Sequence, residues 1–235
     1  MRPDIRLLII VPARSGSKGI ADKNVKPLAG KPLLQWTAEA VLAGDLSDTL
    51  AILSTDSSDY AELGRRLGLR VPYLRPAQHA GDDASAMQVI RHALEWFDSE
   101  HGYLPELTMW LQPTSPFRPP SILRQAVELV DAVGADSVIG CKEIHRDLTT
   151  LFRREQGFLQ ALDTRRPTQT SRQQSSPLLT PNGAMYLCKS AYLTEHGSFY
   201  PPRAAPLIMN AVQSLDIDTA EDWAIAEAYV KQGLV

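Results

Sequence analysis

Short apolar runs that end abruptly in polar turns constrain this chain more than any other feature. Residues 6–12, 49–54, 107–111 and 137–141 each read as a buried strand, and residues 71–74 and 183–188 add two more. Helical patterns fall between them. Residues 32–43 form one, with Pro32 in its first turn and Gly44 as its stop, and residues 58–67 form another, closed by Gly68. Residues 85–98 place Met87, Ile90, Leu94 and Phe97 on one face, and residues 120–133 turn Ile122, Ala126, Val130 and Val133 inward. Buried strands alternating with helices predict an α/β fold, a doubly wound and mostly parallel sheet. In such sheets ligands sit beyond the carboxyl ends of the strands.

With 235 residues, the chain suits a single domain spanning 1–235. The rhythm changes past residue 142. A hairpin around Gln156-Gly157 is expected within 149–162, and 163–181 is polar, so 142–181 reads as an excursion from the main sheet, or 163–181 is simply a solvated loop. The sheet resumes at Gly183, and a last helix spans about 220–232, with Thr219 and Asp222 as a capping pair. A net charge of −3 gives no basic field for nucleic acid. No window approaches the roughly 18 apolar residues of a membrane span, and no signal peptide precedes the first strand. Cys141 and Cys188, both in apolar contexts, read as buried thiols of a cytoplasmic protein. The five histidines are scattered and show no zinc spacing.

Chemistry concentrates at the turns. After the first strand, Ala13-Arg14-Ser15-Gly16-Ser17-Lys18-Gly19 and Lys23-Asn24 combine small residues with cations. Such a loop lets backbone N–H groups approach an anion closely, so it is either a phosphate cradle or an ordinary basic loop. It matches neither G-x-x-x-x-G-K-[ST] nor G-x-G-x-x-G. Asp216-Ile217-Asp218, read as a strand end, puts two carboxylates on one face and Ile217 in the core. That pair suits Mg²⁺, unless Asp218 only starts the last helix. Gln112-Pro113-Thr114-Ser115-Pro116-Phe117-Arg118 is either a structural turn or a display of Gln112, Thr114, Ser115 and Arg118. Arg75 is a candidate donor, Ser85 a ligand or a helix cap, and Arg172 a carboxylate clamp or a surface charge.

Together these segments resemble the bacterial acylneuraminate cytidylyltransferases, or CMP-sialic acid synthetases, legionaminate and pseudaminate types included. The resemblance rests on the segment from Pro12 to Ile20 with Lys23-Asn24, on Gly30-Lys31-Pro32-Leu33, Ser54-Thr55-Asp56 and Arg75-Pro76. It continues through Gln112-Pro113-Thr114-Ser115-Pro116, Asn182-Gly183-Ala184-Met185-Tyr186 and Asp216-Ile217-Asp218-Thr219, in the family's order. The octulosonate cytidylyltransferases are less similar in the first loop.

The resemblance implies a sheet of the nucleotide-diphospho-sugar transferase type with a dimerisation excursion, hence a homodimer. It implies transfer of CMP from CTP to a nine-carbon 2-keto sugar acid with release of pyrophosphate. Ala13, Arg14, Ser17, Lys23, Asn24, Arg75 and Ser85 then face the nucleotide. Gln112, Thr114, Ser115, Arg172, Gln173, Asn182 and Tyr186 face the sugar, with Arg165 and Arg166 competing with Arg172 for its carboxylate. Arg14, Lys18, Gln112, Asp216 and Asp218 carry the chemistry, and Asp216 and Asp218 hold Mg²⁺, or Mn²⁺ in its place. The alternatives are an enzyme for legionaminate, pseudaminate or an octulosonate, and a nucleotide-binding module without turnover.

Overall fold

The computed structural model describes residues 4–16, 19–81, 84–146, 148–163 and 177–235. In chain order the elements are β1 (Leu7–Pro12), β2 (Pro27–Leu28), β3 (Lys31–Pro32), α1 (Leu33–Ala43), β4 (Thr49–Ser54) and α2 (Ser58–Arg66). There follow α3 (Ala86–His101), β5 (Leu107–Trp110), α4 (Pro120–Val133), β6 (Ser137–Ile144), β7 (Phe152–Glu155) and β8 (Phe158–Ala161). The chain closes with β9 (Leu178–Lys189), α5 (Ser190–His196), β10 (Ala204–Ile208) and α6 (Ala220–Lys231). One sheet carries the order β10-β6-β9-β5-β1-β4. β1 lies parallel to both β4 and β5, and β10 parallel to β6. Only β9 runs against its two neighbours, so the sheet is mostly parallel.

The apolar run of β1 shows why these residues build a layered core. Side chains alternate across a strand. Leu7, Ile9 and Val11 pack on the face covered by α1, α2 and α4, with Leu34, Ala61 and Ala126 among their partners. Leu8 and Ile10 pack on the opposite face under α3 and α5, with Phe97 and Leu193. Both sets are buried, so the run reads as unbroken apolar sequence rather than as an alternation. Truncating one such side chain to Ala costs about 2–5 kcal/mol.

A third cluster joins Leu28, Leu33, Phe117, Ile217, Trp223 and Ala226. It clamps α6 against the start of α1 and so fixes the backbone around residue 217. Thr219 and Asp222 form the expected capping box at the start of α6. The expected hairpin also forms: Gln156 and Gly157 take φ of 48° and 90° between β7 and β8, the positive pair of a tight two-residue turn.

Three expectations fail. Residues 71–74 form no strand, because only isolated bridges at Arg70 and Leu74 reach β4 and its end. Val133 does not face inward but is 54 % exposed, because it is the last residue of α4 before the left-handed Gly134. Residues 215–218 are not a strand end. They run alongside the turn after β5, tied by a hydrogen bond from the Ile217 N–H to the Thr114 carbonyl (2.8 Å).

Candidate active site

The loop after β1 is tied down by its own polar residues. The Ala13 N–H donates to the Ser54 carbonyl (3.0 Å), so Ala13 serves the backbone of the cleft floor. The Ser15 N–H and Oγ–H donate to the two oxygens of Asp56 at 2.9 and 2.6 Å. Burial pushes the Asp56 carboxyl up, but the bonds from Ser15, its own backbone N–H and the Arg75 charge together hold the group below its ordinary range. Asn24 Nδ2 donates to the Arg14 carbonyl (3.1 Å), and the Tyr60 hydroxyl donates to Asp22 Oδ1 (3.1 Å). Lys23 leaves the loop altogether. Its Nζ donates to the Ile217 carbonyl and to Asp218 Oδ1 at 2.6 and 2.9 Å. Gly19 lies against the same segment, where a Cβ would collide with the Asp218 carbonyl oxygen. Ser17 and Lys18 lie outside the described residues.

The turn after β5 divides its residues between lining and scaffold. The Ser115 N–H closes it on the Gln112 carbonyl (3.2 Å). Gln112 and Thr114 face the cleft. Ser115 is fully buried, and its Oγ–H donates to Asp216 Oδ1 at 3.4 Å. Arg118, expected to be displayed, is instead 3 % exposed. Its guanidinium is drawn inward by three acceptors: the Gln112 carbonyl, the Ala184 carbonyl (2.9 Å) and Thr37 Oγ1 (2.9 Å). Burial pulls its pKa down to about 9, which still leaves it charged at neutral pH.

Although residues 215–218 form no strand, the in-out order expected of them survives. Ile217 is fully buried and the aspartates flank it. Asp218 is largely exposed in the cleft, whereas burial raises the pKa of Asp216, reinforced by the charge of Asp218. Gly183, at φ 79°, supplies the surface against which Asp216 lies. A Cβ there would stand 3.1 Å from Asp216 Oδ2 and 3.5 Å from Gln112 Oε1, so carboxylate and carboxamide converge on this glycine. Two hard-oxygen carboxylates, one of them destabilised as an anion, are a donor set that fits Mg²⁺ completed by phosphate oxygens and water. No group of three acidic, His or Cys side chains forms a metal cluster among the described residues.

Two cavities open on these residues. The first, about 500 Å³, is lined by Arg14, Gly19, Lys23, Asn24, Arg75, Trp110, Thr114 and Asp218. The second, about 520 Å³, is lined by Lys142, Asn182, Gly183, Tyr186 and Asp216. Gln112 lines both. Arg75 is buried at the edge of the first, its Nη2 donating to the Ser54 carbonyl (3.2 Å) while its Nε has no partner. Burial lowers its pKa, and Asp56 opposes that shift.

Two candidate ligands have other work. Ser85 accepts from the Gln88 N–H and caps α3, and the cavity is lined by its neighbours Ala84 and Ala86 instead. Asn182 spends its amide on Ser214 Oγ (2.9 Å), Met209 Sδ and the Ala184 N–H (3.1 Å), which secures the backbone around Gly183. The Tyr186 hydroxyl is held protonated by burial and by Tyr200. Arg165, Arg166, Arg172 and Gln173 lie outside the described residues. Sequence reasoning missed Lys142 and Trp110 as site residues. Ending the strand at Cys141 hid Lys142. β6 in fact runs on to Ile144, with Ser137 to Cys141 buried and Lys142 the first exposed residue.

The cytidylyltransferase family model matches residues 8–233, almost the whole chain. The chain belongs to the cytidylyltransferase family. Among these cytidylyltransferases it is 33 % identical over 227 residues to the CMP-N,N'-diacetyllegionaminic acid synthase of Legionella pneumophila, covering 95 % of each chain. It is 32 % identical over 222 residues to the N-acylneuraminate cytidylyltransferase of Streptococcus agalactiae, covering 92 % of this chain but 51 % of that longer one. The corresponding Escherichia coli enzyme is 29 % identical over 221 residues, again with about half its length (51 %) covered. A solved CMP:2-keto-3-deoxy-manno-octonic acid synthetase, complexed with CTP, shares the fold at a TM-score of 0.69 and 15 % identity, covering 97 % of this chain and 99 % of that one. The cytidylyltransferase cleft described above thus sits on a nucleotidyltransferase sheet, at the carboxyl ends of β1, β4 and β5.

Proposed function

We propose that this cytidylyltransferase joins the CMP moiety of CTP to a nine-carbon 2-keto sugar acid and releases pyrophosphate. The observation that carries the reading is the pairing of two cavities at Gln112. The first gathers Arg14, Lys23 and Arg75 beside Asp218, and the second is lined by polar side chains with Lys142 as its cation beside Asp216 and Asp222. A nucleoside triphosphate suits the first and a polar sugar acid the second. The likeness to named CMP-sugar enzymes along most of the chain supports the pairing.

In the reaction, the anomeric oxygen of the sugar forms a bond to the α-phosphorus of CTP. The bond from that phosphorus to its bridging oxygen breaks, pyrophosphate departs with the electron pair, and the hydroxyl proton passes to solvent. Arg14 and Lys23, with Lys18 from the same loop, offset the charge that grows on the leaving group. Gln112, between the cavities, holds the sugar hydroxyl in line. Asp216 and Asp218 hold Mg²⁺, or Mn²⁺, which when bound polarises the phosphate oxygens. Lys142 and Tyr186 face the sugar, with Arg172 and Gln173 from the adjoining segment as further partners. Among the described residues no helix is long and apolar enough to cross a membrane, and we take the site of action to be the cytoplasm. Phe158 and Leu159 on β8 are 79 % and 73 % exposed, which suits a homodimer formed through this hairpin.

The test is pyrophosphate release from CTP and Mg²⁺ with N-acetylneuraminate, a legionaminate, a pseudaminate and an octulosonate supplied singly. The reading expects release that depends on one of the nine-carbon acids. Preference for the octulosonate would move the chain to the sister activity. CTP binding without turnover on any acid would make it a binding module.

A further inference from the structure

Arg118 presents a problem that the proposed chemistry leaves open. It lines neither substrate cavity, and no salt bridge to it forms among the described residues. A guanidinium removed from water is costly unless its donors are used well, and the nearby Asp216 charge offsets only part of that cost. Its donors are aimed at three separate elements: Nη2 at the Gln112 carbonyl, Nε at the Ala184 carbonyl and Nη1 at Thr37 Oγ1 of α1. Gln112 and Ala184 are the backbones on either side of the junction. The Gln112 carboxamide and the Asp216 carboxylate converge on Gly183, the neighbour of Ala184.

We propose that Arg118 is a positioning residue, a buried fork that sets the spacing between the Gln112 turn and the Gly183 turn and thereby aims the Gln112 carboxamide at the sugar. Only a planar group with divergent donors spans these acceptors, and a lysine reaches one of them at a time. The proposal rests on the reading of Gln112 as a sugar contact. The reverse side of the fork is open, because Arg118 also lines a separate cavity of about 660 Å³ with Trp36, Phe117 and Val212. A small cation can enter there when the side chain is removed.

The experiment compares wild type, Arg118→Ala and Arg118→Lys. Arg118→Ala is expected to lose about a hundredfold in kcat and to raise KM for the sugar acid roughly tenfold, with KM for CTP within about twofold. Millimolar guanidinium is expected to restore roughly tenfold of the lost turnover, while methylammonium, which has charge without the fork, restores none. Arg118→Lys is expected to show the same KM split without rescue. Equal shifts in both KM values, unchanged kinetics, failure of rescue in a folded Arg118→Ala, or equal rescue by methylammonium would overturn the proposal. If Arg118→Ala does not fold, the KM split of Arg118→Lys decides. If wild type itself releases no pyrophosphate, the functional reading is what fails. The crystal structure of Arg118→Lys then judges positioning, with a displaced Gln112 and Gly183 supporting it and an unmoved junction overturning it.

Discussion

The Lys23 ammonium lies 2.9 Å from the Asp218 carboxylate, although 195 residues of chain separate them. The contact closes the cleft, because Lys23 ends the loop after β1 and Asp218 precedes α6. The ammonium also reaches the Ile217 carbonyl (2.6 Å), so its position is set by backbone as well as by charge. Asp218 is largely exposed, so the ion pair itself adds little to stability, whereas the bond from the largely buried Lys23 side chain to the Ile217 carbonyl is worth about 1 kcal/mol. Lys23→Met should therefore lower the melting temperature by only about 2–4 °C while lowering kcat about a hundredfold. Thermal melts and pyrophosphate release measured on one preparation check both halves.

Gly19 tests the closeness of the same two segments from the other side. Any side chain there collides with the Asp218 carbonyl oxygen, and the obstacle is backbone, which cannot rotate away. Gly19→Ala should part the loop from residues 216–218 and raise KM for CTP about tenfold, an effect of the size of one lost charged hydrogen bond. Initial rates over a CTP series measure it.

Ser85 should behave as a cap. Ser85→Ala removes the acceptor for the Gln88 N–H at the start of α3, which costs about 1 kcal/mol. For a chain of this size that corresponds to about 2–4 °C in melting temperature. The kcat/KM for CTP should stay within about twofold of wild type.

Much of this site was legible in the sequence, and its gaps have physical causes. Lys23 and Gln112 lie in the loops after β1 and β5, strands that the apolar runs announce, so their place at the cleft follows from the sheet. The in-out order of Asp216, Ile217 and Asp218 was also legible. A hydrogen bond from the Ile217 N–H to the Thr114 carbonyl holds the segment where the sequence expects a strand partner. The fate of Arg118 was not legible. Its burial depends on carbonyls of Gln112 and Ala184 that meet only in the folded chain. Nor were the tasks of Asn182, which looks like a ligand but supports the turn at Gly183.

Asp216 carries a stability cost that pH reveals. Burial raises its pKa, so between the ordinary aspartate value, about 3.9, and the raised one the folded chain binds more protons than the unfolded chain. Stability from this group is therefore greatest at low pH and falls as pH rises through that window. Asp216→Asn should raise the melting temperature at neutral pH, and the gain should shrink as pH is lowered toward 4. The same variant should lose its Mg²⁺-dependent turnover, an exchange of stability for function. Melting curves across pH with parallel activity assays check the sign.

The central claim is that triphosphate and sugar acid occupy separate cavities that meet at Gln112. The most direct measurement is the pair of KM values for Arg14→Ala, in the first cavity, and Lys142→Ala, in the second. Each loss of a charged contact is worth roughly tenfold. The predicted result is a crossed pattern. Arg14→Ala raises KM for CTP and leaves that for the sugar acid within about twofold, and Lys142→Ala does the reverse. If both variants shift the same KM, or each shifts both alike, the two cavities do not divide the substrates and the account is wrong.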